Sequence, residues 1–231
     1  MINKSLLKKI RFGVLLAVIV SLGLMLVFNS ADHFTIDNVN ENISRQHVIL
    51  NGKSIKNGDI IFHSSLTSQS RAIQLATQSK YSHCGIIFIE NGSLYVLEAV
   101  QPVKKTPIVE WINRGKNNHY VIKRLNHADK VLNDSILFNM YRIGKSFVGK
   151  DYDYAFSWSD DRIYCSELVW KVYKRGAGIK LSKLNRLKSF DLSDPEVSSQ
   201  VKERYGTNIP FNELVVSPAA IFESELLQRV E

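Results

Sequence analysis

The chain has 231 residues, 45% of them apolar and 23% charged, which suits one hydrophobic core of ordinary domain size and excludes a disordered or collagen-like chain. The 30 Lys and Arg against 22 Asp and Glu give a formal charge of +8, yet beyond a basic leader the excess is scattered. No nucleic-acid motif or dense basic patch accompanies it, and nucleic acid is not expected as a partner.

Lys4, Lys8, Lys9 and Arg11 precede FGVLLAVIVSLGLMLVF, an uncharged run from Phe12 to Phe28 with no acidic residue before Asp32. A basic flank followed by such a run is the pattern of a secretory signal or an N-terminal anchor, close to the lower limit of about 17–25 residues for spanning the hydrocarbon layer. Residues 1–31 are therefore expected to be a removed signal peptide or a retained membrane helix. Either one places the remainder in the cell envelope, beyond the cytoplasmic membrane. No cysteine follows the run, which excludes lipoprotein-type acylation. Residues 32–56 read as a lead-in, and a folded domain is expected over 57–231.

Turn signals at Asn51-Gly52 and Lys56–Asp59 precede the strand-like IIF. Thr67 or Ser68 can cap a helix with Ile73, Leu75 and Ala76 on its apolar face, ending near Lys80. The period then changes. SHCGIIFIENGSLYVLEAV has two strand-like runs around Asn91-Gly92, a strong hairpin signal. A two-residue loop there pairs Ile87 with Val96 and Gly85 with Glu98, so His83, Gly85, Ile87, Val96 and Glu98 share one face and Cys84, Ile86 and Phe88 the other. His83 and Glu98 become diagonal neighbours. YVIKRL (120–125) predicts another strand. Val131, Leu132, Ile136, Met140, Ile143 and Phe147 follow at helical spacing, closed by Gly149. An aromatic loop, DYDYAFSWSDDRIY, leads into the helix CSELVWKVYKRGAG, and Ser217-Pro218 marks a further helix entry. The expected class is α+β, helices packed around an antiparallel sheet.

Cys165 opens the helix after the aromatic loop. A thiol in a helix's first turn lies where unpaired N–H groups and the helix dipole favour an anion, and the same N–H groups can receive an oxyanion. His83 is a natural base for it, with Glu98 to orient the imidazole. Taken singly, Cys165 reads equally as a small core residue, and His83 and Glu98 as ordinary strand residues. Metal ligation finds no Cys-x-x-Cys or His-x-x-x-His spacing, and no metal or organic cofactor is expected. His33, His47, His63, His119 and His127 read as ordinary polar residues.

NGDIIF, YSHCGIIF, the hairpin ending LEAV, VKKTPIVEWI, YDYAF, YCSELVWKVY and VSPAAIF, in this order over Gly58–Phe222, together resemble the YiiX-type branch of the NlpC-like, permuted papain-fold cysteine hydrolases. The resemblance implies a circularly permuted papain-like fold with the histidine-bearing strands ahead of the cysteine-bearing helix. Carried onto this sequence, it implies Cys165 as nucleophile, His83 as general base, Glu98 as the polar third member, and Tyr164 as a residue shaping the oxyanion pocket. Cys84 departs from the more usual aliphatic residue there and is expected to pack in the core, facing away from Cys165 with no disulfide between them. The implied activity is a cysteine amidase or peptidase working through a thioester. Its substrate would be a cell-wall peptide or, as the alternative, a lipid acyl group hydrolysed or transferred at the membrane; a binding domain without activity is the third possibility. Tyr152, Tyr154, Phe156, Trp158 and Tyr164 crowd the approach to Cys165, either lining an acyl channel or packing the loop.

Overall fold

In a computed structural model residues 45–231 are described. The apolar run 12–28 and most of the 32–56 stretch lie outside them. Among the described residues no helix is long and apolar enough to cross a membrane. Asn51 and Gly52, both at positive φ, turn β1 (His47–Leu50) into β2 (Lys53–Lys56), so residues 47–56 of the expected lead-in form a hairpin. β3 (Ile60–His63) follows, then α1 (Ser68–Thr77), whose N-cap Thr67 accepts from the Ser70 N–H. Asn91 and Gly92, at φ +51° and +75°, join β4 (His83–Glu90) to β5 (Ser93–Glu98). The pairs run from Ile86–Leu97 to Glu90–Ser93 and include Ile87–Val96, the register expected from a two-residue loop.

β6 (Lys104–Pro107) runs directly into α2 (Ile108–Asn113), a helix the sequence reading did not assign. After β7 (Val121–Leu125), the helical stretch expected up to Gly149 divides into α3 (Ala128–Val131) and α4 (Asp134–Lys145). The division has a local cause. Asn133 takes an extended conformation and accepts from the Ile136 N–H, starting a new helix rather than continuing the old one. β8 (Asp151–Tyr152) and β9 (Arg162–Ile163) bracket the aromatic loop, and α5 (Cys165–Ala177) ends at Gly178 in the left-handed region. β10 (Asn185–Arg186), α6 (Pro195–Tyr205), β11 (Leu214–Val215), α7 (Pro218–Phe222) and β12 (Leu227–Arg229) complete the chain.

The main sheet has the order β12-β7-β3-β4-β5-β6, every pair antiparallel. Strand alternation gives it two apolar faces. Cys84, Ile86, Phe88 and Leu97 pack against Met140, Leu168, Val169 and Val172 of α4 and α5. Ile61, Ile87, Ile89 and Val96 pack against Ile108, Trp111 and Ile112 of α2 and Ile55 of the first hairpin. Each fully buried Ile or Phe here contributes about 1.5–3 kcal/mol relative to exposure. A small satellite cluster, Ala72 with Val197 and Val201, joins α1 to α6.

α4 and α5 meet at Gly176, where an added Cβ would stand 2.6 Å from the Met140 Cα. Backbone cannot withdraw as a side chain can, so this contact sets how closely α5, and with it Cys165, lies on the rest of the fold. Helix propensity alone would make Gly176→Ala stabilising by about 1 kcal/mol. The clash reverses the sign: we expect a loss of about 1–3 kcal/mol, measured by denaturant unfolding of Gly176→Ala against the wild type.

Candidate active site

His83 is the first residue of β4 and Glu98 the last of β5. The hairpin register, carried one residue past Ile86–Leu97, sets Gly85 opposite Glu98. With no side chain at position 85, the Glu98 carboxylate can reach diagonally to the imidazole. His83 Nε2 and Glu98 Oε2 lie 2.7 Å apart. Glu98 is fully buried, and its other oxygen accepts from Thr106 Oγ1 at 2.5 Å and from Arg114 Nη2. Thr106 stands on β6, and Arg114 follows α2 directly. Burial pushes the Glu98 carboxyl up, but His83, Thr106 and Arg114 together hold it down at about 2.

Because Nε2 is taken by the carboxylate, Nδ1 is the ring nitrogen left for the Cys165 sulfur. Burial disfavours a charged imidazole; the Cys165 sulfur and Glu98 overcome this and raise His83 to about 9. Cys165 moves the opposite way. A hydrogen bond from the Cys84 thiol and the charge and hydrogen bond of His83 lower it well below an ordinary thiol, against the effect of burial. These opposite shifts favour a thiolate–imidazolium pair. The sulfur also lies at the start of a 13-residue helix, where first-turn N–H groups lack intrahelical acceptors.

The structure thus brings Cys165, His83 and Glu98 together. Tyr164, the N-cap residue of α5, is buried; its hydroxyl accepts from the Val216 N–H at 3.1 Å and its ring lines the cavity beside the sulfur. Two expectations are corrected. Cys84 does not face away from Cys165. Its side chain does point to the opposite sheet face from His83, but Cys165 stands at the end of the strand, where both faces are within reach. The β4–β5 ladder stops at Ile86–Leu97, which leaves the Cys84 N–H to the sulfur as a second donor. Nor is His63 an ordinary polar residue. It pairs with His83 across β3 and β4, is 1% exposed, and stacks on Trp111 with centroids 3.9 Å apart. Burial, then the charges of His83 and Arg114, lower it to about 3. A neutral ring is what can pack beside a charged His83.

Sequence reasoning missed Thr106, Arg114 and His63. No local pattern marks them, since each acts through a partner on another strand or helix. It also missed α6, although Asp194-Pro195-Glu196 has the N-cap, N1 proline and first-turn acid of a helix start.

Two openings meet at Cys165 and His83. A cavity of about 100 Å³ reaches Cys165 and is walled by apolar groups, among them Ala72, Ile73, Phe156, Val197 and Val201. Of the five loop aromatics, Tyr152, Phe156 and Tyr164 line it, while Trp158 packs edge-on against Trp170. Phe156 is held at φ +49°, a costly conformation for a bulky residue, because the Asp153 carboxylate accepts from the N–H groups on either side of it, Ala155 and Ser157. A wider cleft of about 490 Å³ opens on the His83 side, with Thr67, Gln69, Ser82, Gln101 and Arg114 among its polar lining.

Glu98→Gln removes the charge that keeps His83 protonated, so the imidazole falls and the thiolate loses its counter-ion. Alkylation of Cys165 by iodoacetamide, followed against pH, should have its midpoint well below the ordinary thiol value in the wild type. It should shift upward by about one unit in the variant, which slows alkylation about tenfold at pH values below the wild-type midpoint. An unmoved midpoint would contradict the assignment of Glu98.

Comparison with known proteins identifies the family. Residues 54–231 match the permuted papain-like amidase family, YaeF/YiiX (C92). The chain is 49% identical over 173 residues to the uncharacterized protein YiiX of Escherichia coli K12, covering 75% of this chain and 84% of that protein. A crystal structure described as metalloprotein YiiX from Escherichia coli O157:H7 is similar with a TM-score of 0.72 and 48% identity, over 76% of this chain and 96% of that one. Among the described residues here no group of three or more His, Cys, Asp and Glu is placed to hold a metal ion, and the Glu98 oxygens already take three donors. With the histidine strand ahead of the cysteine helix, and the match running through the whole described domain from residue 54, the chain belongs to the permuted papain-like amidase family, YaeF/YiiX.

Proposed function

We propose that the protein is a cysteine hydrolase that cleaves an amide or ester bond joining an apolar acyl arm to a polar leaving group, acting on the outer side of the cytoplasmic membrane. The observation that carries this reading is the apolar cavity ending at the Cys165 sulfur, with the polar cleft on the His83 side. The acyl arm would lie in the cavity. The Cys165 thiolate attacks the carbonyl carbon, and the oxyanion faces the first-turn N–H groups of α5, with Tyr164 beside it. His83, protonated through Nδ1, gives its proton to the leaving nitrogen or oxygen on the cleft side. It then takes a proton from the water that hydrolyses the thioester. Glu98 holds the ring through Nε2 in both steps.

A membrane-surface lipid or acylated molecule fits that cavity, and the basic leader and apolar run at residues 4–28 support placing the site at a membrane. The polar cleft favours a second reading, cleavage of an amide bond in a cell-wall peptide, whose many donors and acceptors would match its Ser, Thr and Gln side chains.

Incubation with acylated lipids and with cell-wall peptide fragments, followed by mass spectrometry, separates the readings. Release of an acyl chain by the wild type and no product from Cys165→Ala supports the first; peptide products with lipids untouched support the second; no product from either leaves a binding domain. For the first reading, Val201→Phe fills the cavity and should lower kcat/KM for a long-chain acyl ester at least about tenfold relative to an acetyl ester. The ion pair adds a pH signature: turnover should fall as pH rises through about 9, where His83 loses its proton.

A further inference from the structure

Cys84 is a second thiol that this reaction does not consume. It is fully buried in the centre of the sheet and belongs to the same apolar cluster as Cys165. Both cysteines are free, and the Cys84 thiol is within hydrogen-bond reach of the Cys165 sulfur. Two sulfurs in that contact need only close to about 2.05 Å to be bonded. Access is unequal. The cavity from the surface reaches Cys165, whereas Cys84 lines neither opening and sits behind it.

We propose that Cys84 and Cys165 form a dithiol site that takes a two-electron oxidation by a hydroperoxide, Cys165 reacting first and Cys84 resolving it to a disulfide. This rests on Cys165 being an ionised nucleophile, as in the proposed function. The Cys165 thiolate attacks the outer peroxide oxygen. The O–O bond breaks, sulfur is oxidised to sulfenic acid, and the peroxide is reduced to an alcohol, or to water when it is hydrogen peroxide, the leaving oxygen taking up one proton. The Cys84 sulfur then attacks the Cys165 sulfur. An S–S bond forms, the S–O bond breaks, and hydroxide leaves with the Cys84 proton as water.

Until then Cys84 stays a thiol, because burial and the neighbouring thiolate both raise its pKa. The positions suit the order of events. Cys84 is fixed on a strand paired with β3, while Cys165 follows a loop and carries the exposed end of the reaction path. The disulfide would remove the nucleophile reversibly and spare it the irreversible sulfinic state.

The test uses the reduced full-length protein, treated with hydrogen peroxide and then digested without reductant for mass spectrometry. A peptide linking Cys84 to Cys165, two hydrogens lighter than its parts, is expected, with Cys165 alkylation fully recovered by dithiothreitol. In Cys84→Ala and Cys84→Ser, Cys165 should gain two or three oxygens and lose that recovery. Conversion of wild-type Cys165 to sulfinic acid as fast as in the variants, with no linked peptide, overturns the proposal; the wild-type digest decides even if a variant fails to fold. Alkylation of untreated Cys165 no faster than a simple thiol would sink both this site and the hydrolase reading. Fast alkylation without linkage would sink the dithiol alone.

Discussion

A carboxylate with no contact with water is the constraint around which this site is built. Removing an ion such as that of Glu98 from water costs several kcal/mol even after relaxation, and leaving it without a partner would cost about 3–5 kcal/mol of stability. Three donors offset the cost: the His83 ring, the Thr106 hydroxyl and the Arg114 guanidinium. They come from β4, β6 and the end of α2, so the carboxylate adds a polar tie to three elements that already pack on one another. Once it is fixed, the imidazole is held through Nε2, and the remaining ring nitrogen is left for the sulfur. Arg114 therefore matters to the chemistry without approaching the sulfur.

The neutral His63 belongs to the same economy of charge. Four ionised groups, Cys165, His83, Glu98 and Arg114, form an alternating chain of signs. A fifth charge stacked on Trp111 would unbalance it, and burial, helped by the charges of His83 and Arg114, keeps that ring uncharged. The shape of the surroundings divides in the same place as the chemistry. The opening that reaches Cys165 is apolar and narrow; the one on the His83 side is polar and wide.

What could be read from the sequence was what depends on near neighbours. Asn91-Gly92 dictates a two-residue turn, the turn dictates the register, and the register puts His83 diagonal to Glu98. Cys165 in the first turn of a helix was equally legible, because the aromatic loop and the helical spacing of Leu168, Val169 and Val172 mark the boundary. The misjudgment of Cys84 has an instructive cause. Alternation separates side chains normal to a sheet, but a group at the end of a strand is approached along it, where the two faces converge on one point. The break at Asn133 was missed because apolar spacing runs across it, and a side-chain cap outweighs spacing where an asparagine can satisfy a free N–H. The cavity was beyond sequence reasoning, since its walls come from α1, the aromatic loop and α6, more than a hundred residues apart, and only packing makes them adjacent.

The turn at Asn91 and Gly92 stands in solvent, at the far end of β4 from His83 and of β5 from Glu98. Exposed loop tips of that kind are ordinarily where proteins absorb extra residues at little cost. Here one inserted residue would slide β5 by a single step and send Glu98 to the sheet's other face, toward α5 and away from His83. Length variation at this tip is thus closed to the chain's descendants for a reason that surface exposure would never suggest: a distant loop keeps the spacing on which the contact between His83 and Glu98 relies.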